Sequence, residues 1–274
     1  MAQKKVPYRR RRLGKRLRRM REAAGFTIKD AAIRLEKART SLVRIEKGEY
    51  LTDVHLVKSM MDLYDHWDEN LLDLTRDALK PSWVAAYGIK DFGYIDVETE
   101  ASRVRNYAGM HLPGLLHADP YIRALFEQTH RGRSLEELAS AFKVRSIRRE
   151  RLRAEEAPLE FVAIIDEAAL RREIGGPEVM RAQLQHMIAM AALPTVTLQV
   201  LEMRGCPTAA LNGAFTLLDF PDPDEPDLLY HEYVTGALHI DDREEVREAK
   251  LVFDALRSVA LNPADSVALI EQLI

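Results

Sequence analysis

The chain has 274 residues, 30% charged and 47% hydrophobic, with a formal net charge of −3 and a single cysteine, Cys206. That length suits two domains better than one core; one cysteine excludes a disulfide framework or a zinc knuckle and fits a reducing cytoplasm, and no apolar run approaches the roughly 18–20 residues that span a bilayer. The small net charge hides a strong polarity: residues 1–60 carry 18 Lys and Arg against 6 Asp and Glu, and residues 61–274 carry 22 against 37. A cationic head on an acidic body draws a polyanion to one end only.

In chain order, eleven basic residues precede the first acid, Glu22. Arg9, Arg10, Arg11 and Arg12 lie in the segment Lys4–Arg12. It reads either as a solvated face or, as we favour, as a flexible arm (residues 1–12) along phosphates or in a minor groove. Six phosphates neutralised would make the binding constant fall with salt at a log–log slope of about −5. No apolar segment follows, so a targeting peptide is not expected. Leu13, Leu17, Met20 and Ala24 then recur with the spacing of an amphipathic helix.

The stretch Gly25–Gly48 carries the most information. Thr27 is a good N-cap and Asp30 stands three residues on, so a helix should start at Ile28. Ala31, Ala32 and Leu35 share a face, and the two alanines permit close approach of a second helix. That helix is expected over Arg39–Glu46, with Leu42 and Ile45 inward and Arg39, Thr40, Val43 and Arg44 outward. Gly48, tolerant of left-handed angles, closes it. Two short helices joined by a short turn read as a helix-turn-helix, against the alternative of a hairpin that binds nothing. Arginine can pair bidentately with guanine and a threonine methyl can meet thymine. Arg39, Thr40, Val43 and Arg44 are therefore candidates for base readout. Thr27, Lys29 and Lys47, with Arg9–Arg12, are candidates for phosphate contact.

On Thr27, Ala32, Leu35, Arg39, Leu42, Arg44, Ile45, Glu46 and Gly48, residues 13–64 resemble the lambda-repressor/Cro-like (XRE-type) helix-turn-helix domain, a bundle of five short helices. The resemblance implies that Arg39–Glu46 is the base-reading helix, and that Arg21 and Glu46 form a structural salt bridge fixing its presentation. Two positions depart from the pattern. Glu36 stands where glycine is usual, at about 1–2 kcal/mol for a left-handed residue. Ala38 stands where a hydroxyl cap is usual, at about 1 kcal/mol.

Thr52 and Asp53 should open a helix through Val54, Val57, Met60 and Met61, and Asp68 another over Glu69–Leu79, ended by Lys80-Pro81. The helix-turn-helix domain thus spans 13–80, and 81–93, with Trp83, Tyr87 and Phe92, is an ordered connector. An α+β domain with about four short strands follows over 94–274. Val97–Asn106 and Ser134–Arg153 look helical, the latter behind the capping box Ser134/Glu137. Phe161–Ile165, Thr195–Leu201, Ala214–Phe220 and Leu228–Tyr233 look like strands. Helices are expected at Glu178–Ala192, behind Pro177, and at Arg243–Leu261.

Several phrases of this second domain carry a further resemblance: Glu98–Tyr107, Leu112-Pro-Gly-Leu-Leu116, Ile165–Leu170, Gln183-Leu184, Leu198–Leu201, Gly213–Phe215 and Tyr230-His-Glu232. Together they resemble the C-terminal domain of WhiJ-like, antitoxin-like regulators of actinobacteria, with His117 where that family more often has glutamine. The resemblance implies a transcriptional regulator working with a small protein encoded beside it, and supplies no catalytic residues. Catalysis is the weakest reading of the residues themselves. Asp166 and Glu167 fit the start of a short helix, and His231 and Glu232 are adjacent on a strand, pointing to opposite faces. No nucleotide, zinc-protease or nucleophile-elbow signature is present. The expectation is a cytoplasmic, non-enzymatic, sequence-specific regulator of double-stranded DNA, homodimeric, with no cofactor, no metal and no membrane partner. Its acidic domain would bind a small protein or a small-molecule effector. A pocket between the strands and the helix carrying Met180, Met187 and Met190 is one possibility, although methionines there more often fill core.

Overall fold

The computed structural model describes residues 6–88, 93–129, 134–205, 207–223 and 225–274. Lys4, Lys5, Phe92 and Cys206, weighed above, lie outside them. The chain divides into two compact units, Met1–Asp96 and Val97–Ile274.

Among its described residues the first unit holds five complete α-helices: α1 (Tyr8–Ala23), α2 (Ile28–Arg34), α3 (Arg39–Glu46), α4 (Val54–Leu63) and α5 (Glu69–Leu79). Their starts follow the capping residues. Thr27 accepts from the Asp30 N–H, Asp53 from Leu56, and Asp68 from Asn70 and Leu71, each satisfying donors left orphaned in a first helical turn. Leu17, Leu42, Val57, Met60 and Leu71 are fully buried and join Ala31, Ala32 and Ile45 in one core. The connector contains a 3-10 turn, Trp83–Tyr87.

One expectation for this unit is corrected. Arg9–Arg12 are not an extended arm; they form the first turns of α1. Pro7 sets the start, its carbonyl accepting from the N–H groups of Arg10 and Arg11 at 3.1 Å each. Tyr8 is buried and anchors the turn. Arginine is a good helix former, so once Tyr8 and Leu13 are docked nothing interrupts the helix between them.

The second unit is built on a six-stranded mixed sheet, ordered β3-β2-β1-β4-β5-β6. The strands are β1 (Arg103–Ala108), β2 (Glu160–Asp166), β3 (Val196–Leu201), β4 (Phe215–Asp219), β5 (Leu228–Tyr233) and β6 (Gly236–Ile240). The first three run parallel and the last three antiparallel, so β1 at the centre pairs Tyr107 with Ile164 on one side and with Phe215 on the other. The helices are α6 (Gly93–Glu100, which carries the boundary between units), α7 (Asp119–Thr129), α8 (Leu135–Glu150), α9 (Glu167–Arg171), α10 (Pro177–Ala191), α11 (Arg243–Val259) and α12 (Pro263–Gln272). Val246, Phe253 and Leu256 of α11 pack on Tyr107, Ile164 and Leu217. Met180, Met187 and Met190 of α10 are buried.

The four expected strands are present as β2–β5, and β1 and β6 join them. The helix expected over Val97–Asn106 stops at Glu100, because the following chain is captured as the middle strand. The Ser102 N–H donates to the Asp219 carbonyl at 2.9 Å and β1 pairs on both edges. β6 begins Gly-Ala after the turn residues Val234 and Thr235, which lack the usual hairpin turn chemistry. The terminal helix ends at Val259, and the Asn262 side chain caps a separate α12. The Leu261 N–H donates to the Val200 carbonyl, and the Ser266 hydroxyl accepts from the Val200 N–H, at 2.9 Å each. These bonds close the β3 edge of the sheet.

Candidate nucleic-acid interface

The outward ridge of the first unit is the face of α3 opposite its buried residues. Leu42 and Ile45 are buried, Val43 is partly buried, and Arg39, Thr40 and Arg44 are exposed. Before α3, Glu36 takes a left-handed φ of 53° and the N-cap Ala38 supplies no side-chain bond. The turn therefore has the geometry a glycine would give, made with a strained residue, and the Lys37 N–H closes it on the Ala32 carbonyl at 2.9 Å.

The inner end of α3 is clamped. Arg21 donates from Nε to Glu46 Oε1 at 2.7 Å and from Nη2 to Oε2 at 2.9 Å, while its Nη1 reaches the Phe26 carbonyl at 2.8 Å. This fork ties α1, the start of α2 and the end of α3 together. The hydrogen bond that Arg21 donates to Glu46 is the main cause holding the Arg21 pKa above its ordinary value. Beside the pair, burial pushes the Tyr64 phenol up to about 12. Gly14 of α1 passes directly over the end of α3, where a Cβ would lie 2.5 Å from the Glu46 carbonyl oxygen.

Arg44 is the outward cation that the sequence leaves without a setting. Gly48, at φ 71°, turns the chain back so that the N–H groups of Glu49 and Tyr50 both reach the Arg44 carbonyl, at 2.9 and 3.2 Å. The Tyr50 ring then lies 3.9 Å from the Arg44 guanidinium, its hydroxyl accepts from Nη1 at 2.9 Å, and Glu49 stands 3.4 Å from Nε. Sequence reasoning missed Tyr50 and Glu49. The available signal was the left-handed Gly48, which returns the two residues after it to the helix end.

The candidate phosphate contacts divide into two groups. Thr27, Lys29 and Lys47 are exposed at the edges of the ridge, although the Thr27 hydroxyl is engaged with Asp30 Oδ2 at 2.6 Å. Arg9–Arg12 are all partly buried. Arg10 donates to the Ala78 carbonyl at 3.3 Å, and burial lowers the pKa of Arg11, which lies over the Tyr8 ring.

In the second unit the tempting catalytic groups occupy structural positions. Asp166 caps α9 through the Ala168 N–H at 2.8 Å, Glu167 accepts from the Met203 N–H at 3.0 Å, and His231 Nδ1 lies 2.9 Å from the Ala214 carbonyl oxygen. Among the described residues no three His, Cys, Asp or Glu side chains gather as a metal site, and no helix is long and apolar enough to cross a membrane.

A capped helix, a tight turn and a second helix offering a cationic ridge define a protein of the DNA-binding helix-turn-helix class. A family model described as a helix-turn-helix domain matches residues 12–74. A second, for a domain of unknown function (DUF5753), matches residues 93–272, more than half of the chain. The chain belongs to that DUF5753 family. Comparison with curated proteins and with solved structures gave no match.

Proposed function

We propose that the protein is a sequence-specific transcriptional regulator of the XRE type that inserts α3 into the major groove of double-stranded DNA. The observation that carries this reading is the division of α3. Leu42, Ile45 and the clamped Glu46 lie within, and Arg39, Thr40 and Arg44 outside. Arg39 and Arg44 read base edges, Thr40 and Val43 supply methyl contacts, and Lys29 and Lys47 flank the groove on phosphates. The second unit dimerises the protein and receives a signal, either a small molecule or a small protein encoded nearby, as in antitoxin-like regulators; we read it as non-catalytic and the whole as cytoplasmic. The structural duties of Asp166, Glu167 and His231 support the non-catalytic part.

The test is selection of a binding site from random duplexes with the full chain, followed by anisotropy titrations on single-base variants of that site. Arg39→Ala should lose about 1–3 kcal/mol on the selected sequence and relax preference at one base position. Equal loss on every duplex would reduce Arg39 to a phosphate contact, and no enrichment during selection would end the sequence-specific reading. Sedimentation of the full chain with and without the selected duplex tests the dimer.

A further inference from the structure

In the second unit the Arg145 guanidinium has no carboxylate at ion-pair distance among the described residues. Arg145 of α8 is partly buried. Its Nη1 lies 3.2 Å from His117 Nδ1, and its guanidinium sits 5.2 Å from the centroid of the Phe126 ring. Neither neighbour neutralises it. His117 Nε2 faces the Leu112 carbonyl oxygen at 2.9 Å, so that nitrogen carries the proton and Nδ1 accepts from arginine, which is the uncharged tautomer. Burial first, then Arg145, holds the His117 pKa down at about 3.

The adjacent arginines of the same helix are matched. Arg148 pairs with both oxygens of Glu98 at 2.7 Å each, and Arg149 with Asp119 at 3.0 Å. Among the described residues no carboxylate forms an ion pair with Arg145. Glu232 and Glu98 favour its charge only by longer-range attraction. Burial, then Arg148, brings its pKa to about 10, which still leaves it cationic at neutral pH. A buried charge without a partner is costly, and such a group in a folded protein marks a place where an anion belongs.

Gly114 marks that place. A Cβ on it would stand 3.6 Å from Nη1 of Arg145 and 3.8 Å from both Nη atoms of Arg148. Its φ is not among the positive ones, so backbone conformation does not demand glycine there. A side chain at this position would lie in van der Waals contact with both guanidinium groups, and glycine leaves those edges uncovered by one. The surrounding loop is held firmly: Gln183 accepts from the Ala118 N–H at 2.7 Å and donates to the Leu116 carbonyl at 2.8 Å.

We propose that Arg145, with Gly114 and Arg148, forms a binding site for the carboxylate of an organic acid. One uncompensated positive charge calls for one negative charge, and a planar guanidinium matches a planar carboxylate through two parallel hydrogen bonds. A phosphate dianion would need a second uncommitted cation, and Glu98 already neutralises Arg148. The proposal deepens the reading of the second unit as a signal receiver and rests on it.

Thermal unfolding of the full chain tests the site, with acetate, benzoate or inorganic phosphate replacing chloride at fixed ionic strength and benzamide as the neutral control. The melting temperature should rise saturably with a carboxylate, more weakly with phosphate, and not with benzamide. Arg145→Met should melt at or above the wild-type temperature without ligand and lose the response. Gly114→Val, which keeps both arginines, should lose it as well. A flat wild-type response overturns the proposal, as does an equal response to every anion or a response that survives Arg145→Met. So does a ligand-free Arg145→Met that melts many degrees lower, since the charge would then already be matched. Arg39→Ala should keep the carboxylate response while losing base preference, so failure of the DNA reading and failure of this site are separable.

Discussion

Replacing Glu46 with alanine should unfold the first unit far more easily than its position on a surface-reading helix would imply. The two side chains of the Arg21–Glu46 pair retain only 9% and 7% of their accessibility, and their hydrogen bonds measure 2.7 and 2.9 Å. Glu46→Ala leaves the guanidinium with the Phe26 carbonyl at 2.8 Å and the exposed Glu22 at 3.4 Å. Hydrogen bonds to a charged group contribute about 1.5–3 kcal/mol each, and removing one partner of a buried pair costs about 3–5 kcal/mol. A unit of this size has roughly 5–14 kcal/mol in all, so the loss is about a fifth of its stability or more. The assay is urea unfolding of the full chain followed by tryptophan fluorescence. Both tryptophans, Trp67 and Trp83, lie in the first unit, so the signal reports that unit alone. The double variant Arg21→Met/Glu46→Leu should recover most of the loss, because no unpaired charge remains. A Glu46→Ala loss below about 1 kcal/mol, or a double variant as weak as the single, would refute the clamp.

Gly14→Ala should also destabilise the first unit, by about 2 kcal/mol in the same urea assay. Its Cβ would meet two backbone carbonyl oxygens, at 2.5 and 2.7 Å, and the forced separation outweighs the gain of about 1 kcal/mol in helix propensity. The His117 pKa is depressed from 6.5 to about 3, so the unfolded chain binds the extra proton first. This contribution is intact above pH 6.5 and is lost as pH falls toward 3, amounting to about 2 kcal/mol at pH 5. His117→Gln should flatten that acid-side decline in melting temperature relative to wild type; parallel profiles would show that the imidazole does not titrate as described. DNA binding should show a log–log salt slope of about −3, from three or four phosphates, because several arginines of α1 are engaged internally. A slope at or steeper than −5 would return the arm to the phosphates.

The helix-turn-helix was legible because its signals are local. Thr27, Asp53 and Asp68 announce helix starts, Gly48 announces an end, and the inward pair Leu42/Ile45 fixes which face remains outside. Elements defined by distant partners were not legible. Arg103–Ala108 has a modest apolar pattern and becomes a central strand only because β2 and β4 flank it. Gly14 sits in a run of basic residues and gives no sequence sign that Glu46 and Ile45 lie under it. The setting of Arg44 needed the path of the chain after Gly48. The charge state around Arg145 needed α8 and the loop before α7 brought together.

The cationic head illustrates why composition alone overstates a DNA footprint. Arg21 is bound to Glu46 and Arg16 to Asp68, at 2.7 and 2.6 Å. Arg10 reaches the Ala78 carbonyl, and Arg34 lies over Phe26. These contacts suit arginine and not lysine, since a planar fork can take two acceptors or stack on a ring while its stem covers apolar surface. A basic run that supplies tie-rods between short helices holds together a bundle whose helices are individually too short to be stable. The sequence count of 18 cations therefore serves two tasks at once. Arg39 and Arg44 on α3, with Lys29 and Lys47 beside it, are exposed and form a narrower ridge than the count implied, one aimed by the residues that hold the helix in place.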